Sequence, residues 1–182
     1  MVPAWGAARI FHLKLCNIVF CSSVMSYYLP TWGRVMAVVY RFCPALKLLM
    51  VSVHGHTSDE AFEKLFDQVR VISSQLDVAT GIFDLSDADM SEVTSERIRY
   101  LAAGPPMLSD PARRCVVTPP AYQFGMARMY QMVAKRDIDI CRSLGEAYKL
   151  LDVRVPPAYQ TVTLDTTGHV VMAAPRKHQK AG

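Results

Sequence analysis

The groups in this chain that could do chemistry fall into a few short stretches of its 182 residues. His54-Gly55-His56 sets two imidazoles on either side of a glycine, and the alternation of a strand turns both to one face. Asp59 or Glu60 could add a carboxylate. A zinc site uses three or four protein ligands, however, and a strand-end turn at Gly55 needs no metal, so no metal site is expected. Asp84, Asp87 and Asp89 follow the apolar run TGIFDL, at the carboxyl end of a strand, where open α/β sheets bind their ligands. Carboxylates grouped there could move protons or hold Mg²⁺, but no partner histidine, lysine or glycine-rich phosphate loop accompanies them in the sequence. Aspartate is also a standard turn former, and solvated turn residues are the simpler account.

The same stretch, DLSDADMSEVTSER, holds the hydroxyls of Ser86, Ser91, Thr94 and Ser95 ahead of a helical segment. A phosphate at that helix start would meet free amides and a favourable dipole, which makes Ser91, Thr94 and Ser95 candidate phospho-acceptors. Capping of the helix by Ser91 or Thr94 explains the same residues without modification. Arg128, in GMARMY, could meet an anionic ligand or an acidic loop, or form an ordinary ion pair. Gly125 beside it costs a helix about 1 kcal/mol relative to alanine, which suggests close packing or the approach of a ligand. The cysteines at 16, 21, 43, 115 and 141 form no CxxC pair and no even framework. A reducing, cytoplasmic setting is expected, with Cys115 and Cys141 acting as small buried hydrophobes in strands.

Positioning these groups falls to residues 37–153, where short apolar runs alternate with helical periodicity, the mark of an α/β domain with a largely parallel sheet. Residues 37–42 and 46–54 read as strands separated by Cys43-Pro44-Ala45, a hairpin spacing. Thr57-Ser-Asp-Glu60 has the form of a capping box, so a helix should start there with Phe62, Leu65, Phe66, Val69 and Ile72 as its buried stripe. Residues 80–85 form the third strand, ending in an acidic turn, with a weaker helix over about 94–103. The fourth strand, 114–118, meets Pro119-Pro120, which cannot continue a ladder but can open a helix. That helix, over about 122–135, carries a stripe of Met126, Met129, Tyr130 and Val133. Residues 138–141 make the last strand of the domain, followed by a second capping box, Ser143 to Glu146, and a stripe of Leu144, Ala147, Tyr148 and Leu151.

In this element order, in the FDLS that closes the third strand, in RRCVVTP followed by YQFGMARMYQ, and in ICRSLGEAYKLL, residues 36–154 resemble the SpoIIAA-like family. Its domains are also called STAS or SEC14-like, here in the stand-alone bacterial form. The resemblance implies a mostly parallel five-stranded sheet with four helices, β-β-α-β-α-β-α-β-α, and a regulatory or binding module rather than an enzyme. In the anti-sigma-factor antagonists of that family, a serine at the start of the helix after the third strand is phosphorylated by a partner kinase, which switches partner binding. The Asp-Ser-Ser-Gly type of motif that carries this serine is absent from DLSDADMSEVTSER.

The two ends differ from the middle. Residues 1–35 are read as an N-terminal extension whose apolar stretch, LKLCNIVFCSSVM, is broken by Asn17, Ser22 and Ser23 and is shorter than the roughly 18 residues that cross a bilayer. No integral membrane span is expected. Because Met36 opens a strand-like run, one reading is that translation starts there and residues 1–35 belong only to the gene model, or are poorly ordered. In the tail, 155–182, Asp165-Thr-Thr-Gly168 separates two β-like runs, so a terminal hairpin should form and pack on the domain or on a second subunit. The net charge of +4 resides in the ends, +3 in residues 1–35 and +2 in 155–182, which leaves −1 for the middle. Nucleic-acid binders concentrate Lys and Arg on the folded face, so that class is set aside. Two functions remain. The leading one is a non-enzymatic regulatory or protein-interaction domain, using no cofactor, that meets a protein partner or its own copy through the loop after the third strand and the following helix. The alternative is a domain for a small apolar or lipid-like ligand, of the SEC14-like type, with a pocket lined by Phe62, Phe66, Tyr122, Met126 and Tyr130.

Overall fold

The computed structural model describes residues 36–109, 112–153 and 157–173, so the expectations for residues 1–35 lie outside the described residues. In chain order the elements are β1 (Ala37–Cys43), β2 (Leu48–Ser58), α1 (Asp59–Gln75), β3 (Thr80–Glu92), α2 (Ser95–Ala103) and β4 (Arg113–Val117). There follow α3 (Ala121–Ala134), β5 (Asp139–Cys141), α4 (Leu144–Leu150), β6 (Gln160–Leu164) and β7 (Val170–Met172). The α/β class holds, but the sheet is not the mostly parallel five-stranded one expected. Seven strands join in the order β5-β4-β3-β2-β1-β6-β7. The pairs β2–β3, β3–β4 and β4–β5 are parallel, while β1–β2, β1–β6 and β6–β7 are antiparallel. The added strands come from the C-terminal hairpin, which lays Val162 opposite Tyr40 and buries it almost completely. It covers the β1 edge that five strands alone would leave unpaired.

Alternation along the central strands explains how the layers form. Leu49, Val51, Val53 and Phe83 face α1 and α2, with Met126, Met129 and Tyr130 of α3 packed against the same cluster. Leu48, Ile82, Cys115 and Val117 face the other way, under Ala147 of α4 and Leu151. With both faces covered, β2 opens on four consecutive apolar residues, Leu48 to Val51, rather than an alternating pattern. The α1 stripe is buried as its spacing requires, from Phe62 through Ile72.

Three local readings are corrected. Ser58, not Thr57, caps α1: the Ala61 amide donates to Ser58 Oγ at 3.2 Å, while Thr57 stays in β2, fully buried. β2 runs on because β3 runs on beside it. The acidic segment after Leu85 is not a turn but the continuation of β3, which pairs His54 with Asp87 and His56 with Asp89 after one register shift, and Ser58 with Glu92 after a second. Leu85, Ala88 and Met90 are buried there among exposed polar residues, so local packing overrides the turn preference of aspartate. In α3 the expected stripe is only partly buried, Val133 is exposed, and the one buried residue is Gln123. Gly125 faces open space, so close packing within the domain does not account for it.

Candidate functional site

Beyond Asp84, which is the last β3 residue paired with β4, β2 and β3 continue together as a two-stranded arm. Because the first shift places an extra residue in β3, the two histidines come to lie opposite two of the aspartates. His54 Nδ1 stands 3.2 Å from Asp87 Oδ2, and His56 Nδ1 stands 3.1 Å from Asp89 Oδ2. His56 Nε2 is also 2.8 Å from Glu92 Oε2. An imidazole facing carboxylates through both nitrogens is favoured as the doubly donating cation. Glu92 and then Asp89 accordingly raise the His56 pKa above its ordinary value, against the opposing effect of burial. Asp89 is pushed down to about 2, by His56 first and then by the hydroxyl and amide of Ser91. The arrangement makes a clamp between strands rather than a free base, since neither ring nitrogen is left to take a proton from a substrate. Among the described residues no group of three or more His, Cys, Asp or Glu is arranged to hold a metal ion.

The remaining residues of the acidic segment divide into structural and exposed ones. Asp84 Oδ1 accepts from the Ser86 amide at 3.1 Å and from its hydroxyl at 2.6 Å, and Asp89 Oδ1 accepts from the Ser91 amide at 3.1 Å. Each Asp-X-Ser unit thus satisfies an amide on β3 locally. Thr94 caps α2, accepting from the Arg97 amide at 3.1 Å. Its own hydroxyl donates to Asp59 Oδ2 at 2.8 Å and its amide to Asp59 Oδ1 at 2.7 Å. A phosphate on Thr94 would confront that carboxylate, so capping accounts for this residue. Ser91 and Ser95 are exposed.

The pocket residues are brought together only in part. Phe62, Phe66, Met126 and Tyr130 line a cavity of about 60 Å³ between α1, α3 and the sheet, with Phe83 behind them. Tyr122 and Arg128 do not line it. The Tyr122 phenol accepts from the Met90 amide at 2.9 Å, and the exposed Arg128 donates to Gln131 Oε1 at 2.8 Å while lying 5.3 Å from the Phe124 ring centre. Beside Tyr122, the buried Gln123 donates through Nε2 to the Ala88 carbonyl at 2.7 Å and accepts from the Thr118 hydroxyl at 3.1 Å. Two side chains at the start of α3 therefore occupy backbone groups of β3 where β4 no longer reaches. Sequence reasoning missed Gln123; its signal was a glutamine on the first turn of a mostly apolar helix. Cys115 and Cys141 are in the core as expected, with sulfurs 3.5 Å apart and both thiols shifted upward in pKa by burial.

No family model, curated protein or solved structure matches the chain.

Proposed function

We propose that the protein is a non-enzymatic regulatory module that acts by binding another protein, through the outer sides of α2 and α3 with residues 91–95 beside them. One observation carries this reading. Apolar side chains run all round α3, yet the domain fully buries only Gln123 and leaves Tyr122, Val133 and Met132 exposed, the last by 75%. A helix that is apolar all round gains by being covered, and methionines adapt well to a partner's surface. Tyr100 of α2, 62% exposed, adds an aromatic ring of the kind that anchors interfaces. The resemblance to SpoIIAA-like domains supports the same class, by analogy of fold. The free thiols of Cys43, Cys115 and Cys141 suit a reducing, cytoplasmic setting, and no helix among the described residues is long and apolar enough to cross a membrane.

The second reading, a carrier of a small apolar ligand, has the cavity beneath α3 in its favour. Its volume of about 60 Å³ is well below the roughly 300–1,000 Å³ of ordinary ligand pockets, so α3 would have to move outward to admit a lipid-like molecule. Native mass spectrometry of the chain isolated gently from its own cells separates the two. A stoichiometric protein subunit supports the regulatory module, whereas a non-covalent small-molecule adduct on a single chain supports the carrier.

A further inference from the structure

On the outward side of α3, Gly125, Arg128 and Met132 follow one another at spacings of three and four residues, and all three are exposed. Two guanidiniums gather beside them. Arg128 lies over the Phe124 ring at 5.3 Å from its centre, and the exposed Arg142, the residue after β5, lies over the same ring at 4.2 Å. Arg142 Nη1 donates to the Pro119 carbonyl at 2.6 Å and Arg128 Nη1 to Gln131 Oε1 at 2.8 Å, both neutral acceptors. Among the described residues neither guanidinium is paired with a carboxylate. Residues 121–136 contain no acid that could serve, and the Glu146 carboxylate accepts from the backbone amide of Arg142 at 2.8 Å instead. The acids of β3 nearest the start of α3 are engaged as well, Asp84 with Ser86 and Asp87 with His54. A guanidinium stacked on an aromatic ring keeps an N–H edge for a carboxylate, which it binds through two parallel hydrogen bonds.

Gly125 adds an observation of another kind. Glycine is the poorest helix former after proline, and a Cβ at this position would meet nothing within 4 Å. Nothing inside the domain uses the missing side chain, whereas a backbone approaching from outside would. We propose that the partner inferred above meets α3 with an acidic segment, whose Asp or Glu carboxylates pair with Arg128 and Arg142 while its backbone passes over Gly125 and an apolar side chain covers Met132. This inference rests on the partner reading and specifies the chemistry of the partner. Charge complementarity selects the acids. The surface is open and partly apolar rather than a cavity, so it suits a chain that buries area together with charge, not a free anion. Stacking on Phe124 and the contacts to Pro119 and Gln131 fix the two guanidiniums in advance, which lowers the ordering cost of binding.

The test uses the complex isolated gently from native cells, with the wild type, Arg128→Lys, Arg128→Glu/Arg142→Glu and Gly125→Ala compared in parallel. Arg128→Lys keeps the charge and sets a primary amine at position 128, which a water-soluble carbodiimide joins to a carboxylate in contact with it. Sequencing of the cross-linked peptide should find an Asp or Glu of the co-purifying subunit. Titrated back onto each chain, that subunit should bind Arg128→Glu/Arg142→Glu about thirtyfold more weakly or worse, as loss of close charge pairs across an interface does. Gly125→Ala should melt higher than the wild type yet bind about tenfold more weakly, because its methyl group stands where the partner's backbone passes. A subunit that stays on Arg128→Glu/Arg142→Glu but leaves Met132→Glu/Val133→Glu would overturn the acidic segment and keep the partner reading. A wild type that arrives bare would overturn both. A cross-link to a second copy of this chain, or unchanged affinity in Gly125→Ala, would also overturn the proposal.

Discussion

At the scale of single residues, the two histidines and the acidic residues were each visible in the sequence, but their pairing was not. Counting along a strand cannot reveal which residue of another strand stands opposite, and here the register shift between Ser52 and His54 decides it. The consequence is a protonation-dependent contact at His56. Its pKa is raised in the folded chain by Glu92 and Asp89, so its contribution to stability is complete below the ordinary histidine value and is lost as pH rises through the raised one. The urea midpoint of the wild type should fall between pH 6 and pH 8, and His56→Asn should flatten that fall. Equal slopes for the two proteins would show that the clamp does not stabilise the fold. Asp89 acts in the opposite direction, its contribution being lost as pH falls from the ordinary 3.8 toward about 2. The buried thiols give a second test: Cys43, Cys115 and Cys141 should resist alkylation at pH 8 in the native protein and react on unfolding, since burial disfavours the reactive thiolate of Cys115 and Cys141.

At the scale of elements, the helices were legible because caps and stripes are local. Ser143 does cap α4, with the Glu146 amide donating to its hydroxyl at 3.2 Å, and the α1 stripe is buried as spaced. What escaped was the length of β2 and β3, since Asp and Ser favour turns locally and only the partner strand makes them extended. Two substitutions check the helix assignments. Thr94→Ala should cost about 1 kcal/mol by removing the cap of α2, and a change near zero in the denaturation midpoint would contradict the capping geometry. Gly125→Ala should gain about 0.5–1 kcal/mol, because the added methyl group meets open space and the helix backbone is stiffened. Destabilisation there would contradict the open space beside Gly125.

At the scale of the whole molecule, the alternating pattern of residues 37–153 defined the class, whereas the join between the hairpin and β1 could not be read from either segment. The turn Asp165 to Gly168 announced a hairpin, but its docking rests on Val162 meeting Tyr40 across more than a hundred residues. Ending the chain at residue 156 should therefore uncover the edge of β1 and give a lower melting temperature, with larger species in size-exclusion chromatography. A monomer melting at the wild-type temperature would show that the hairpin is dispensable. The partner surface also belongs to this scale, since the exposure of α3 emerges only when every other element has found its place. Its most direct test is to isolate the wild type and a Met132→Glu/Val133→Glu variant in parallel from native cells and weigh both intact. The account predicts a stoichiometric protein subunit on the wild type that is missing from a variant whose circular dichroism is unchanged. A subunit retained equally by both chains, or a wild type that arrives bare, would contradict it.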